Sequence, residues 1–148
     1  MAKKKSSKGA KKISMDNRPV QKIVEFYFML PKEVKVKELS SAIVSVPQEK
    51  IEIWLELNLM EVVMEHDSLI FQDARDCFVD PLDLDFIKEH QVLMIYEISF
   101  DTRDVELTTR VLRELLEKYG GMICSDTETF DPIYTLENLE KFESADFN

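Results

Sequence analysis

Glycine and histidine are scarce in this sequence. The 148 residues include only three glycines and two histidines. A phosphate-binding loop needs several glycines close together, and Gly9, Gly120 and Gly121 do not form one. The motifs of serine hydrolases, zinc proteases and C-x-x-C redox proteins are absent as well. The sequence therefore favours a protein without catalytic activity, and nothing in it predicts a cofactor.

Cysteines and long apolar runs are also few. Cys77 and Cys124 are too few for a disulfide framework, which favours a reducing compartment. Alternation with Met122 predicts that Cys124 is a small buried core residue rather than a nucleophile. No segment approaches the roughly 18–20 apolar residues of a membrane span. We expect a cytoplasmic protein that does not enter a membrane.

Charge is divided sharply along the chain. Residues 1–18 contain six lysines and Arg18 against the single acid Asp16, a net charge of +6, so the remainder of this −10 chain carries −16. Residues 1–19 have too few apolar side chains to fold alone and are predicted to be a disordered basic tail, followed by one domain over 20–148. A basic arm can bind nucleic acid, but this one lacks an aromatic side chain for stacking. A solvated terminus, or one that folds back onto the acidic body, is the simpler interpretation.

Hydrophobic periodicity predicts an α+β fold. Strands are expected at 23–30, 50–60, 62–64 or 68–72, 91–100 and 122–125, and helices within 36–46, after Asp80-Pro81, over 101–119 and over 135–142. This order predicts a ferredoxin-like antiparallel sheet with helices on one face and extra short helices in the second half. The clearest pattern is the alternation of Ile51, Ile53, Leu55, Leu57 and Leu59, which predicts one strand with a single buried face.

The opposite face of that sheet is predicted to be unusually apolar. It would carry Ile23, Tyr27, Met29, Trp54, Met60, Leu93 and Ile95. A solvated face should be polar, so we expect the C-terminal segment or a second subunit to cover it, or, in a monomer, the extra short helices. The candidate binding residues are therefore Tyr27, Met29, Trp54, Leu93 and Ile95.

An acid-rich run, residues 73–85, is the candidate metal site. Asp73, Asp76 and Asp80 offer the carboxylate oxygens that Mg²⁺ and Ca²⁺ prefer. The run has no glycine, however, and so does not match a calcium-binding loop. Asp80 is also well placed to cap the helix that begins at Pro81.

The acidic body and the surplus apolar face together favour a non-catalytic protein-binding domain. One specific version, by analogy of charge, is an immunity- or inhibitor-type protein that masks a basic nuclease. Two alternatives are a ligand-sensing regulatory domain that dimerises through its sheet and a divalent-metal-dependent enzyme that uses the acids of 73–85. The expected partner is another protein or a second copy of the chain. Nucleic acid bound through the basic tail is less favoured.

Overall fold

The protein, described here by a computed structural model over residues 22–147, contains one antiparallel sheet. The predicted basic tail, residues 1–19, lies outside the described residues. The seven strands are β1 Ile23–Leu30, β2 Ile51–Trp54, β3 Leu59–Val63, β4 Ser68–Asp73, β5 Met94–Asp101, β6 Met122–Ser125 and β7 Ile133–Tyr134. Their order across the sheet is β2-β3-β4-β5-β1-β6-β7, so β1 lies between two strands that follow it much later in the chain.

Four α-helices accompany the sheet in the described part of the chain, and the predicted α+β class is confirmed. They are α1 Val36–Ala42, α2 Pro81–Glu89, α3 Val105–Tyr119 and α4 Leu139–Glu143. Asp80 caps α2 as expected, because its Oδ1 accepts a hydrogen bond from the Leu82 amide at 2.8 Å. None of the helices within 22–147 has the length and apolar content needed to cross a lipid bilayer.

The first face of the sheet carries the main hydrophobic core. Side chains alternate between the two faces of each strand, so every second residue of β1, β4 and β5 points to the same side. Helices α1, α3 and α4 pack on this side. The largest side chains with no appreciable exposure there include Phe28, Phe71, Tyr96, Phe100 and Phe142.

The second face of the sheet is covered over part of its area by α2. Phe86 and Ile87 of α2 pack near Met29 and Ile95, and Phe130 joins this smaller cluster. The expectation of helices on one face only is therefore corrected, because α2 brings its own apolar side chains to the other face. The ferredoxin-like arrangement is not confirmed, since the sheet has seven strands in a different order.

The C-terminal segment lies in the first-face core rather than on the second face. Leu139 and Phe142 of α4 are fully buried there, and the Phe142 ring packs edge-on against Phe26 at 5.1 Å between centroids. Alternation in β1 places Phe26 on the first face. Of the expected covers, the C-terminal segment is therefore wrong, and the short helix α2 covers part of the second face instead.

The strand predicted over 50–60 is interrupted. Residues Leu55–Leu57 form a 3-10 turn, and Asn58 adopts a left-handed conformation with φ of 48°. Its side-chain oxygen accepts a hydrogen bond from the Val36 amide, and its side-chain amide donates one to Asp73, each at 3.0 Å. Asparagine tolerates this conformation better than most residues, and these bonds hold it there.

The interruption changes which side chains of this segment are buried. Leu55 and Leu57 are 63% and 64% exposed, and Met60 enters the first-face core although alternation had placed it on the opposite face. Physically, the turn at Asn58 inserts non-extended residues between β2 and β3, so a period of two cannot continue through it.

The turn between α3 and β6 requires two consecutive glycines. Gly120 and Gly121 have φ of 76° and 98°, a region that side chains with a Cβ rarely adopt. A Cβ at Gly121 would collide with the Met29 carbonyl oxygen. The pair therefore ends α3 and lets the chain pass close to β1 as β6 begins.

Candidate binding surface

Every charged side chain in the seven strands of residues 22–147 is acidic. The strands contain no lysine or arginine. Their six carboxylates are Glu25, Glu52, Glu61, Asp73, Glu97 and Asp101. Alternation places all of these except Asp73 on the second face, the face that also carries α2. Five of the six strand carboxylates therefore lie on one side of the sheet.

The part of the second face that α2 does not cover is a mixed acidic and apolar surface. None of its side chains belongs to the cluster beneath α2, and each is exposed or half-buried. We call this surface the acidic sheet face. It consists of Glu25, Glu52, Trp54, Leu59, Glu61, Val63, Ile70, Gln72, Glu97 and Ser99.

Strand register arranges all residues of the acidic sheet face except Val63 in two rows. In one row, Glu52 lies directly opposite Glu61, whose other neighbour is Ile70. In the adjacent row, Trp54 lies opposite Leu59. Like charges directly opposite each other destabilise a sheet by roughly 0.2–1 kcal/mol. The Glu52–Glu61 pair is therefore unfavourable in the isolated protein and would become favourable beside a cation.

A second group of acids surrounds Tyr27 at the border of the acidic sheet face. Burial raises the pKa of Glu97, and the charges of Glu25 and Asp126 raise it further. Burial raises the pKa of Tyr27 to about 12, with contributions from Asp126 and Glu97. The negative charges of Glu25, Glu97 and Asp126 are therefore close together around Tyr27.

These acids have no basic partner among residues 22–147. The ion pairs there use other carboxylates: Glu33, Asp73, Asp101, Asp104 and Glu106. Glu61 has one neutral hydrogen bond, from the Ser68 hydroxyl at 2.6 Å. The negative charge of the acidic sheet face is consequently not neutralised within the described chain.

An acidic cleft continues this surface beyond the sheet. It lies between the start of α2 and the loop after β6, has a volume of about 680 Å³, and is lined by Asp80, Leu82, Asp83, Asp126, Thr127 and Glu128. Asp126 acts electrostatically on Tyr27 and Glu97 and also lines the cleft. The negative surface therefore extends from β2 to the α2 N-terminus.

The candidate binding residues fall into two groups. Met29 and Ile95 are 0% and 3% exposed beneath α2, and Tyr27 packs edge-on against Phe78 at 5.0 Å. These three side chains serve packing within the chain. Trp54 and Leu93 remain exposed, at 39% and 62%. They lie apart, since Trp54 is on edge strand β2 and Leu93 precedes β5, three strand positions away.

The candidate metal ligands are not brought together. Asp73 receives hydrogen bonds from Arg75 Nη2 at 2.8 Å and Asn58 Nδ2 at 3.0 Å, which lower its pKa against the opposing effect of burial. Asp76 is exposed in a 3-10 turn, and Asp80 caps α2. Within residues 22–147 no group of three or more acidic, histidine or cysteine side chains is arranged to hold a metal ion.

Cys124 is a buried core residue, as alternation with Met122 predicted. Cys124 is fully buried, and burial together with Asp131 raises the pKa of its thiol to about 12. A thiol with so high a pKa is a poor nucleophile at neutral pH. Cys77 is exposed, and neither cysteine forms a disulfide.

Sequence reasoning found Trp54 but missed the glutamates around it. The relevant signal was present, since the segments predicted as strands contain no arginine and a single lysine, Lys50 at the start of 50–60. Strand order was needed to show that Glu25 and Glu97, which are distant in sequence, lie on neighbouring strands. Comparison with known proteins adds no candidate: no protein-family model, curated protein or solved structure matches this chain.

Proposed function

We propose that this chain is a non-catalytic binding domain whose acidic sheet face binds a basic surface of a protein partner, in the manner of an immunity- or inhibitor-type protein. The observation that carries this proposal is the absence of any basic side chain from the seven strands, together with the unpaired glutamates on their open face. Complementary charge accelerates encounter with a partner and sets its orientation.

The apolar side chains of the acidic sheet face support a protein partner in particular. Trp54 is partly exposed between the glutamates and the exposed turn residues Leu55 and Leu57. Tryptophan is enriched among residues that dominate binding energy at protein interfaces. A nucleic acid would be repelled by this face, and a second copy of the chain would bring two acidic faces together. A basic protein surface fits both the charge and the apolar content.

The remaining features of the proposal rest on the sequence. A cytoplasmic location is proposed because the two cysteines are few and unpaired. The chain would act by occlusion, covering a basic site on the partner rather than transforming a substrate.

The test begins with the full chain as bait in an extract of its source cells. Captured partner is then purified and titrated against the wild type and the charge-reversed variant Glu52→Lys/Glu61→Lys. We expect the variant to bind at least about tenfold more weakly, equivalent to about 1.4 kcal/mol. The matched control Glu117→Lys/Glu140→Lys changes charge equally at exposed helical positions and should bind like the wild type.

Two results would contradict the proposal. One is equal weakening by both variants, which would mean that only net charge matters. The other is a partner whose affinity is unaffected by either variant. Urea unfolding of each protein first establishes that the reversed charges leave the fold intact.

A further inference from the structure

The acidic sheet face has a candidate occupant within the same chain. Residues 1–18 carry a net charge of +6, whereas the four glutamates of the face and the adjacent Asp126 contribute five negative charges. Building on the proposed function, we propose that the basic segment 1–18 binds the acidic sheet face when no partner is present, and that a partner must displace it.

The chain enters the sheet at the correct place for this contact. Lys22 directly precedes β1, where its carbonyl oxygen accepts a hydrogen bond from the Thr102 amide at 2.8 Å. Ile23, the first residue of β1, shares the second face with Tyr27 because both are odd-numbered positions of one strand. The segment before it therefore joins the sheet at the border of the acidic sheet face.

The segment is also long enough. Ten residues join Lys12 to Lys22, and an extended chain of this length spans about 33 Å. The distance from β1 to β2 is four strand spacings, or about 19 Å. Lys12 and the lysines before it can therefore reach Glu52 and Glu61 without full extension of the chain.

The composition of segment 1–18 predicts binding that is weak enough for a partner to displace. Its lysines can neutralise the glutamates, but it has no aromatic side chain to pack beside Trp54. Exposed ion pairs are individually weak, and attachment to the same chain compensates through an effective concentration in about the millimolar range. A partner that offers both cations and apolar contacts would compete successfully.

Trp54 provides a direct reporter, because it is the only tryptophan in the chain. Its fluorescence is quenched by acrylamide, a neutral molecule whose access depends on cover rather than charge. In the full wild-type chain we expect at least about a twofold increase in the quenching constant between about 10 mM and 1 M salt, where the screening length falls from about 30 to 3 Å. Release of the segment exposes the indole.

Two full-length variants separate the segment from general charge effects. The tail variant replaces Lys3, Lys4, Lys5, Lys8, Lys11 and Lys12 with glutamine, and should show the high quenching constant at both salt concentrations. The control variant replaces six exposed lysines of the body with glutamine: Lys32, Lys37, Lys50, Lys88, Lys118 and Lys141. It has the same total charge as the tail variant and should behave like the wild type.

Carbodiimide cross-linking gives a second readout in the full chain. Lysines of the segment should join to Glu25, Glu52, Glu61 or Glu97 within one molecule. The proposal is overturned if the wild-type quenching constant equals that of the tail variant at low salt, if the control variant changes as much as the tail variant, or if cross-links reach Glu117 and Glu140 equally. Links between two chains in a dimer would also overturn it.

The same variants distinguish failure of this inference from failure of the proposed function. If the segment competes with the partner, the tail variant should bind the partner severalfold more tightly than the wild type. Unchanged partner affinity in the tail variant, with weakened affinity in Glu52→Lys/Glu61→Lys, would overturn the inference alone. Glu52→Lys/Glu61→Lys is therefore also introduced into the tail variant, where the segment no longer competes, and unchanged partner affinity there would contradict the proposed function.

Discussion

The two faces of the sheet use the same strands for opposite purposes. The first face buries aromatic side chains such as Phe28, Phe71 and Tyr96 beneath three helices. The second face is covered by α2 over one part and carries unpaired glutamates over the rest. Successive residues of one strand point to opposite faces. Residues that stabilise the core therefore alternate with residues of the proposed binding surface. Substitutions in neighbouring positions can therefore test each separately.

The largest contrast is expected between Phe71→Ala and Ile70→Ala in β4. Phe71 is fully buried in the first-face core, whereas Ile70 is half-buried on the acidic sheet face. Phe71→Ala should lower the free energy of unfolding by about 3–5 kcal/mol because it leaves a cavity. Ile70→Ala should lower it by about 1 kcal/mol, since less apolar surface is lost. Urea unfolding measures both, and equal losses would show that the faces do not differ.

A smaller contrast is expected between Asp101 and Glu97, two carboxylates of β5 that share the second face. Asp101 is fully buried and accepts hydrogen bonds from Arg103 Nε at 3.0 Å and Nη2 at 2.7 Å. Burial opposes its ionisation, but the Arg103 interactions outweigh this effect and hold the pKa of Asp101 below its usual range. Asp101→Asn should therefore cost about 1.5–3 kcal/mol of unfolding free energy at neutral pH.

Asp101 and Glu97 should affect the pH dependence of the unfolding free energy in opposite directions. A lowered pKa in the folded protein gives Asp101 a contribution that is present above about pH 3.9 and is lost as the pH falls through the folded value. Glu97 has a raised pKa, so its contribution is present at low pH and is lost as the pH rises through the folded value. Glu97→Gln should consequently be at least as stable as the wild type at pH 7. Unfolding at pH 3 and pH 7 measures both, and a loss of stability in Glu97→Gln at pH 7 would refute the assignment.

The smallest effect is expected for Glu52→Gln/Glu61→Gln. Neutralising two carboxylates that lie directly opposite each other should raise the unfolding free energy by roughly 0.2–1 kcal/mol at low salt. The gain should shrink at high salt because screening weakens the repulsion that is removed. A destabilised variant under low-salt urea unfolding would mean that this pair does not oppose folding.

Local patterns predicted those parts of the fold that local physics determines. Strands β1 and β6 have the expected bounds, 23–30 and 122–125, because β-branched and aromatic side chains or a glycine pair mark them. The Asp80 cap was likewise predicted from the sequence, since aspartate before proline is a typical helix start.

Tertiary contacts determined the rest. The turn at Asn58 depends on its hydrogen bond with Val36, 22 residues away, and no local pattern contains that partner. The acidic sheet face depends on strand order in the same way. Glu25 and Glu97 are ordinary polar positions in two separate strands until β1 and β5 are known to be neighbours.

The position of β1 in the sheet has a consequence for the order in which this protein acquires its structure during synthesis. Tyr27 pairs with Glu97 and with Cys124, so the two neighbours of β1 leave the ribosome 70 and 97 residues after it. The hairpins of β2, β3 and β4 can form while the chain is still short, because their partners are close in sequence. Contacts that are distant in sequence form slowly. The aromatic side chains of β1 therefore lack their neighbours on β5 and β6 until most of the chain has been synthesised.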